Sequence, residues 1–243
     1  GFTVNTDAQT NDSSATYVAW CWKETATAGF DIVGYEGTGS AKTESHSLSA
    51  VPHLIIVKNR ETGSESWLVY HASLGNGKGL KLDTTGAVAT NTAFWNDTTG
   101  TSSVFTIGSD GASNENTKDH IAYLFSEKQG YSKIGSYTGN GNDDGTFVYL
   151  GFRPAWLMLK RTDSANSWNI MDNKRDPYNE VTLHLDADDP HADETSTSDS
   201  DFDFCANGVK IREGNNGCNG SGATYIYMAF AEAPFVNSNG VPC

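Results

Sequence analysis

One sequence block recurs at a nearly constant spacing, and that spacing limits the fold more than any other feature. Ile32–Gly39 aligns with Ile134–Gly141 at an offset of 102 residues, so that Tyr35-x-Gly37-x-Gly39 falls on Tyr137-x-Gly139-x-Gly141. Pro52, Val57 and Lys58 meet Pro154, Leu159 and Lys160 at the same offset, and Trp67 meets Trp168 at 101. A second block occurs three times, as Tyr17–Glu24, His120–Glu127 and Tyr225–Glu232. Each copy follows a short apolar piece (Gly1–Val4, Val104–Ile107, Gly208–Ile211) across a polar loop. Self-similarity on this scale marks one supersecondary unit used more than once. The expected organisation is residues 1–28 as the closing hairpin of a preceding repeat, packed on the next. Residues 29–129 and 130–235 are then two full β-sandwich repeats, and 236–243 is a C-terminal tail.

The local pattern is that of strands. Leu54–Lys58, Trp67–Tyr70, Phe147–Leu150 and Trp156–Lys160 are short apolar runs bounded by Pro and polar turns. Glycine-rich turns recur at Gly75–Gly77, Gly108–Gly111, Gly139–Gly145 and Gly214–Gly217, and no window carries a sustained helical spacing of apolar residues. The prediction is an all-β chain of tandem β-sandwich or jelly-roll repeats with Gly/Asn-rich loops. Tyr17–Glu24 is apolar at nearly every position, which suits a strand buried on both faces or lying at a seam. Only 37% of the 243 residues are hydrophobic, so the core has to come from patterning, while the 11% of aromatics speaks against disorder. The length suits one large β domain or two modules of about 100 to 120 residues.

Sixteen Lys and Arg against thirty Asp and Glu leave a net charge of -14. That balance disfavours nucleic acid and anionic membrane as partners, since both need clustered basic residues. No stretch approaches the ~20 apolar residues of a membrane-spanning helix. No basic region typical of a signal peptide is visible, and the start without Met suggests a processed chain or a fragment. Four cysteines do not make a disulfide scaffold. Cys21 reads as a buried free thiol and Cys243 is terminal. Cys205 and Cys218 flank a possible hairpin, and whether they are bridged stays open, as does the redox compartment.

These residues resemble a module found in phage virion proteins. The resemblance is carried by Phe30-Asp-Ile-Val33, His46, Pro52, Val57-Lys-Asn-Arg60, Trp67-Leu-Val-Tyr-His71 and Ser136-Tyr-Thr-Gly-Asn-Gly141. It continues through Gly151-Phe-Arg-Pro-Ala-Trp156, Lys160-Arg-Thr-Asp-Ser164, Trp168, Asp172-Asn-Lys-Arg175 and Asn219–Tyr227, and so covers nearly all of residues 17–235. Ser49 departs from it, standing where the pattern has Gly, and Asn237–Cys243 has no counterpart in it. The resemblance implies a tail-fibre or virion structural protein and supplies no catalytic residues.

Candidate chemistry was weighed residue by residue. Paired carboxylates that could hydrolyse a glycoside are Asp143 with Asp144 and Asp163 with Asp172, although adjacent carboxylates in a Gly-rich loop are usually just solvated. Asp110–Asn116, Asn140–Asp144 and Asp186–Asp193 are oxygen-rich enough for calcium but match no EF-hand loop, and read as surface. The six histidines lack zinc-ligand spacing. There is no Gly-x-Ser-x-Gly elbow and no phosphate loop. The three glycosylation sequons, at Asn11, Asn96 and Asn219, read as chance matches in a chain this rich in Asn, Ser and Thr. Trp67 and Trp168, at matching positions, are expected in the core. Trp95 and Tyr178 lie in polar loops and are the candidate glycan contacts. The acidic run from Asp186 to Asp203 is expected to be an exposed loop, because no Lys or Arg lies between 176 and 209 to pair with it.

The functional expectation is a non-enzymatic phage virion structural protein, located on the particle surface in a tail fibre or another external capsid or appendage component. Its partners are copies of itself and other virion proteins, and residues 17–22 are the candidate seam. No cofactor and no metal are expected. One alternative is an adhesin module that grips host surface polysaccharide through Trp95 and Tyr178. The other is a polysaccharide depolymerase.

Overall fold

The computed structural model describes residues 1–195 and 201–232. Apart from two single-turn helices, α1 (Ala8–Asn11) and α2 (Gly111–Asn114), its regular structure is all strand. The strands are β1 (Phe30–Glu36), β2 (Lys42–Ser45), β3 (Leu54–Asn59), β4 (Leu68–His71), β5 (Lys78–Lys81), β6 (Ala89–Thr90), β7 (Val104–Ile107), β8 (Asp119–Phe125) and β9 (Ser132–Thr138). They continue as β10 (Phe147–Tyr149), β11 (Pro154–Arg161), β12 (Trp168–Asp172), β13 (Leu183–Asp186), β14 (Glu194–Thr195), β15 (Phe202–Cys205), β16 (Gly208–Ile211) and β17 (Thr224–Ala231). A first six-stranded sheet runs β1-β8-β3-β4-β5-β6, and a second runs β9-β17-β11-β12-β13-β14. Taken in chain order, the two sheets follow the same path. Two smaller sheets, β2-β7 and β10-β16-β15, complete the fold, which is the expected all-β sandwich.

Each large sheet buries both faces, and this explains the unbroken apolar runs. Along β3, Ile55 and Val57 face one core while Leu54 and Ile56 face another; along β11, Leu157 and Leu159 alternate with Trp156 and Met158. Successive side chains of a strand point to opposite faces. The first core joins the inner face of the first sheet to Phe105 and Ile107 of β7. The second joins the inner face of the second sheet to Phe202, Phe204, Val209 and Ile211 of β15 and β16. A third core lies between the two large sheets, where Phe30 stacks on Phe125 at 4.7 Å and Trp156 meets Phe230 at 5.7 Å. Polar links cross the same seam: Trp168 Nε1 donates to the Lys81 carbonyl (2.9 Å), and Lys160 Nζ to the Thr85 carbonyl (3.1 Å).

The Tyr-x-Gly-x-Gly motif ends β1 and β9, and a buried asparagine holds both turns. Asn114 Nδ2 donates to the carbonyls of Ser40 and Gly108, and its Oδ1 accepts from Thr38 N. Asn219 Nδ2 donates to the carbonyls of Asn142 and Glu213 and to Asn140 Oδ1, while its Oδ1 accepts from Asn140 N and Thr146 Oγ1. The glycines are required by contact. A side chain on Gly37 or Gly139 would begin 2.0 Å from the Glu115 carbonyl or 2.3 Å from that of Gly220, and Gly39 and Gly141 have φ of 68° and 70°. Tyr35 and Tyr137 donate to the carbonyls of Ser113 and Cys218, each at 2.6 Å. Their rings stack on His120 (5.2 Å) and Tyr225 (4.9 Å), the cross-strand neighbours in β8 and β17.

The structure corrects several sequence expectations and answers one left open. Residues 1–28 form no hairpin: Gly1–Val4 and Tyr17–Glu24 carry no strand, and the only helical turn there is α1, capped by Asp7. The blocks that match Tyr17–Glu24 insert between β1 and β3 and between β9 and β11, and β8 and β17 already fill those places. Trp20 and Trp22 instead plug the seam, Trp22 meeting Trp156 at 5.4 Å, while Cys21 between them is exposed. Trp168 is fully buried but Trp67 only half, because the first sheet offers it little beyond the ring of Tyr123 at 6.3 Å. No disulfide joins Cys205 to Cys218; Cys218 sits in the second core and Cys205 at the partly exposed end of β15. The acidic run is no bare loop, since it begins on the last residue of β13 and contains β14 and the start of β15, and arginines outside it supply counter-charges: Arg175 to Asp193 (2.5 Å) and Arg212 to Asp203 (2.5 Å). Asp199 and the tail 236–243 lie outside the described residues. Asn140–Asp144 is exposed, as composition suggested.

Two stability predictions follow from the turns. Asn219→Ala removes the partner of Asn140 N and of the carbonyls of Asn142 and Glu213, all in the partly buried turn, so it should cost about 1–3 kcal/mol in a denaturant titration. A loss within about 0.5 kcal/mol, as for a surface change, would show that the amide does not hold the turn. Ser49 is exposed and held at φ 55°. Ser49→Gly should therefore raise the unfolding free energy by about 0.5–1 kcal/mol, the left-handed penalty relieved less the added chain entropy; a lowered denaturant midpoint would contradict this.

Candidate functional site

A cleft opens beside β12 and β13 and has a volume of about 710 Å³. Its floor is polar. Asn169, 5% exposed, donates from Nδ2 to Asp186 Oδ1 across the β12–β13 pair (2.9 Å), and His184 lies two residues from Asp186 on β13. One wall is the 165–167 loop with Thr85 of the first sheet's β5–β6 link, and the other is the 214–217 turn. The walls are fixed from behind. The buried Lys160 ammonium donates to the carbonyls of Thr85, Arg161 and Asn166, and Asn166 N donates to the Thr85 carbonyl. Burial pushes the Lys160 pKa down to about 8. Burial raises the Asp186 carboxyl, only partly offset by the Asn169 amide. Two polar atoms of the floor, Asn169 Oδ1 and His184 Nδ1, are buried and have no hydrogen-bond partner. Among the described residues, no Lys, Arg, Phe, Tyr or Trp side chain lines the cleft.

Neither aromatic singled out from the sequence lines this cleft. Trp95 is 1% exposed in the first core, its Nε1 donating to the Lys78 carbonyl (3.1 Å), so it offers no face to a sugar. The polar residues after it form the loop surface, and the ring turns inward to meet Tyr70 at 5.6 Å. Tyr178, 79% exposed, stands in the link between β12 and β13. The carboxylate pairs separate into individual ion pairs: Asp144 with Lys210 (2.6 Å), Asp163 with Arg161 (2.8 Å) and Asp172 with Arg175 (2.7 Å). Burial pushes Asp172 up, but Arg175, the turn amides behind it and Trp20 Nε1 together hold it below the usual range. Among the described residues, no three His, Cys, Asp or Glu side chains gather as a metal site would need. Of the floor residues, Asn169 escapes the sequence reading, while Asp186 enters it only as part of an oxygen-rich surface run and His184 only as one of six histidines without zinc-ligand spacing. One signal was available: Trp67-Leu68-Val-Tyr aligns with Trp168-Asn169-Ile-Met, placing an amide where an otherwise apolar strand has leucine.

His71, which ends β4, is structural. Its Nδ1 accepts from Ser73 N (3.2 Å), so the proton sits on Nε2 and faces the Tyr227 carbonyl across the seam (3.3 Å). Burial pushes its pKa down to about 4.

The family model of a domain of unknown function, DUF7483, matches residues 1–234, and the chain belongs to that family. No curated protein and no solved structure matches it.

The neutral His71 makes stability depend on pH. Its folded pKa lies below the ordinary 6.5, so between 6.5 and about 4 the unfolded chain binds more protons and stability falls on acidification. The full shift corresponds to about 3 kcal/mol. His71→Gln should lose less stability than the parent between pH 7 and pH 4 in parallel denaturant titrations. Equal losses in both proteins would assign the acid sensitivity elsewhere.

Proposed function

We propose that the chain is a non-enzymatic structural component of a phage virion, in a tail fibre or another external appendage, that assembles with copies of itself and with other virion proteins. The observation that carries this reading is the state of Tyr17–Glu24. Its two sequence counterparts form β8 and β17, the strands paired along both edges. The first copy has the same apolar character but pairs with no strand, and Tyr17 and Val18 lie exposed, as do Phe2 and Val4. A strand-type segment with open backbone groups is a template for pairing with another chain. The partner edges that suit it are those of its own kind, because β1 and β3 of this chain already accept a segment of that pattern. The resemblance to virion modules points the same way.

The test is the mass of the chain in solution across a concentration series, by light scattering or sedimentation. A defined oligomer is expected, shifted toward monomer by the double change Tyr17→Asp and Val18→Asp with the circular dichroism unchanged. A parent chain that stays monomeric at the highest concentration removes the self-assembly reading. Immunogold labelling of the source phage tests location: label on an appendage supports the proposal, and particles free of label refute it.

A further inference from the structure

We infer that the cleft between the 165–167 loop and the 214–217 turn binds an uncharged saccharide, through hydrogen bonds to Asn169, His184 and Asp186. The inference does not depend on the virion reading. It begins with a comparison inside the chain. Val57 pairs with Leu68 in the first sheet, and Leu159 pairs with Asn169 in the second, so Leu68 and Asn169 hold the same register position. Leu68 is fully buried in the first core. The same backbone thus accepts leucine there, and a leucine would remove the orphaned amide oxygen at the cost of one donor to Asp186 Oδ1. The second sheet instead carries an amide whose Oδ1 has no partner, with His184 Nδ1 in the same state nearby. Orphaned buried groups destabilise a fold, and native proteins hold few of them. Two in one floor, at a position where the fold tolerates leucine, are explained by a ligand that satisfies them.

The lining selects the chemistry of that ligand. Among the described residues no Lys or Arg lines the cleft, and the chain carries a net charge of -14, so anions are repelled. The apolar lining a lipid or a hydrophobic cofactor needs is missing too. What remains is an array of both signs of hydrogen-bonding group. Asn169 Oδ1 and the Asp186 carboxylate accept, the amides of Asn166 and Asn216 donate or accept, and His184 Nδ1 does either. Sugar hydroxyls both donate and accept, and so match such an array throughout. About 710 Å³ is of the size of ordinary small-ligand sites. The Lys160 ammonium, tied to the carbonyls of Thr85 and Asn166, keeps the rim in place before a ligand arrives, which lowers the ordering cost of binding.

The test uses the full chain, labelled with 15N, titrated separately with malto-, cello-, chito- and rhamno-oligosaccharides and with calcium chloride alone. At least one oligosaccharide should shift the side-chain amide signals of Asn169 and Asn166 at millimolar concentration. Asp186→Asn should weaken that binding about tenfold, the expected loss for a hydrogen bond to a charged group. Asn169→Leu, which installs the residue of the first sheet, should fold with unchanged circular dichroism and lose binding. Ala165→Trp, a change at an exposed wall position, should block the cleft without touching the core. Three results would overturn the inference: no oligosaccharide moves these signals, binding survives Ala165→Trp, or calcium alone produces the shifts. None of them bears on the oligomeric mass, so this proposal and the assembly proposal fail separately.

Discussion

A single buried carboxamide at the closed end of each sandwich carries the geometry of the layers around it. After β1 and β9 the chain must leave a large sheet and enter a small one, and it does so through Tyr-x-Gly-x-Gly. A turn that tight brings carbonyls inward with no strand to pair them. Asn114 and Asn219 supply donors and an acceptor from one planar group, so both sides of the turn are satisfied at once. Side chains on Gly37 or Gly139 would push the asparagine loop away, and the tyrosine hydroxyls tie that loop to the sheet from the other side. With the turns fixed, β2 and β10 start at defined positions over the large sheets, and the cores beneath them can close. Buried polar groups satisfied this fully specify one arrangement, because every alternative leaves some of them orphaned.

The seam is the second constraint and follows from the first. Once each small sheet covers one face of a large sheet, the other face of each is still apolar, and the two remaining faces cover one another. Trp156, Phe230, Phe30 and Phe125 fill the contact, with Trp20 and Trp22 closing it from the N-terminal segment. Polar groups that cross the seam (Lys160, Trp168 and His71) each find a backbone carbonyl there. An ammonium as buried as that of Lys160 is tolerable only because three carbonyls replace its water.

Much of this was legible in the sequence. The spacing of Tyr35, Gly37 and Gly39 against Tyr137, Gly139 and Gly141 announced matching turns, and short apolar runs between polar turns announced the strands. The asparagines were not legible. They stand 105 residues apart, not 102, within polar loops where Asn is the least remarkable residue, and only the folded turn shows what surrounds them. Trp95 was misread for the same reason, since flanking polar residues describe the loop and not the direction of one ring. Tyr17–Glu24 failed differently. An apolar pattern reports a capacity to form a strand, but pairing needs a vacant edge, and vacancy is a property of the whole sheet.

The cleft illustrates what two sheets of one topology make possible. A position that must be apolar in one sheet is under weaker constraint in the other if neighbouring contacts already stabilise the domain. At the shared register position, leucine closes the first core while asparagine opens a polar floor in the second. The strand order, the turns and the seam are unaffected, because none of their contacts passes through that side chain except the link to Asp186. The difference between the sheets is therefore local in structure but large in chemistry. Packed apolar atoms are replaced by donors and acceptors facing a cleft whose walls the seam and the Lys160 ammonium hold rigid. Between two sheets that follow the same path, the departures from equivalence carry more information about binding than the equivalences do, since the equivalences are already accounted for by stability.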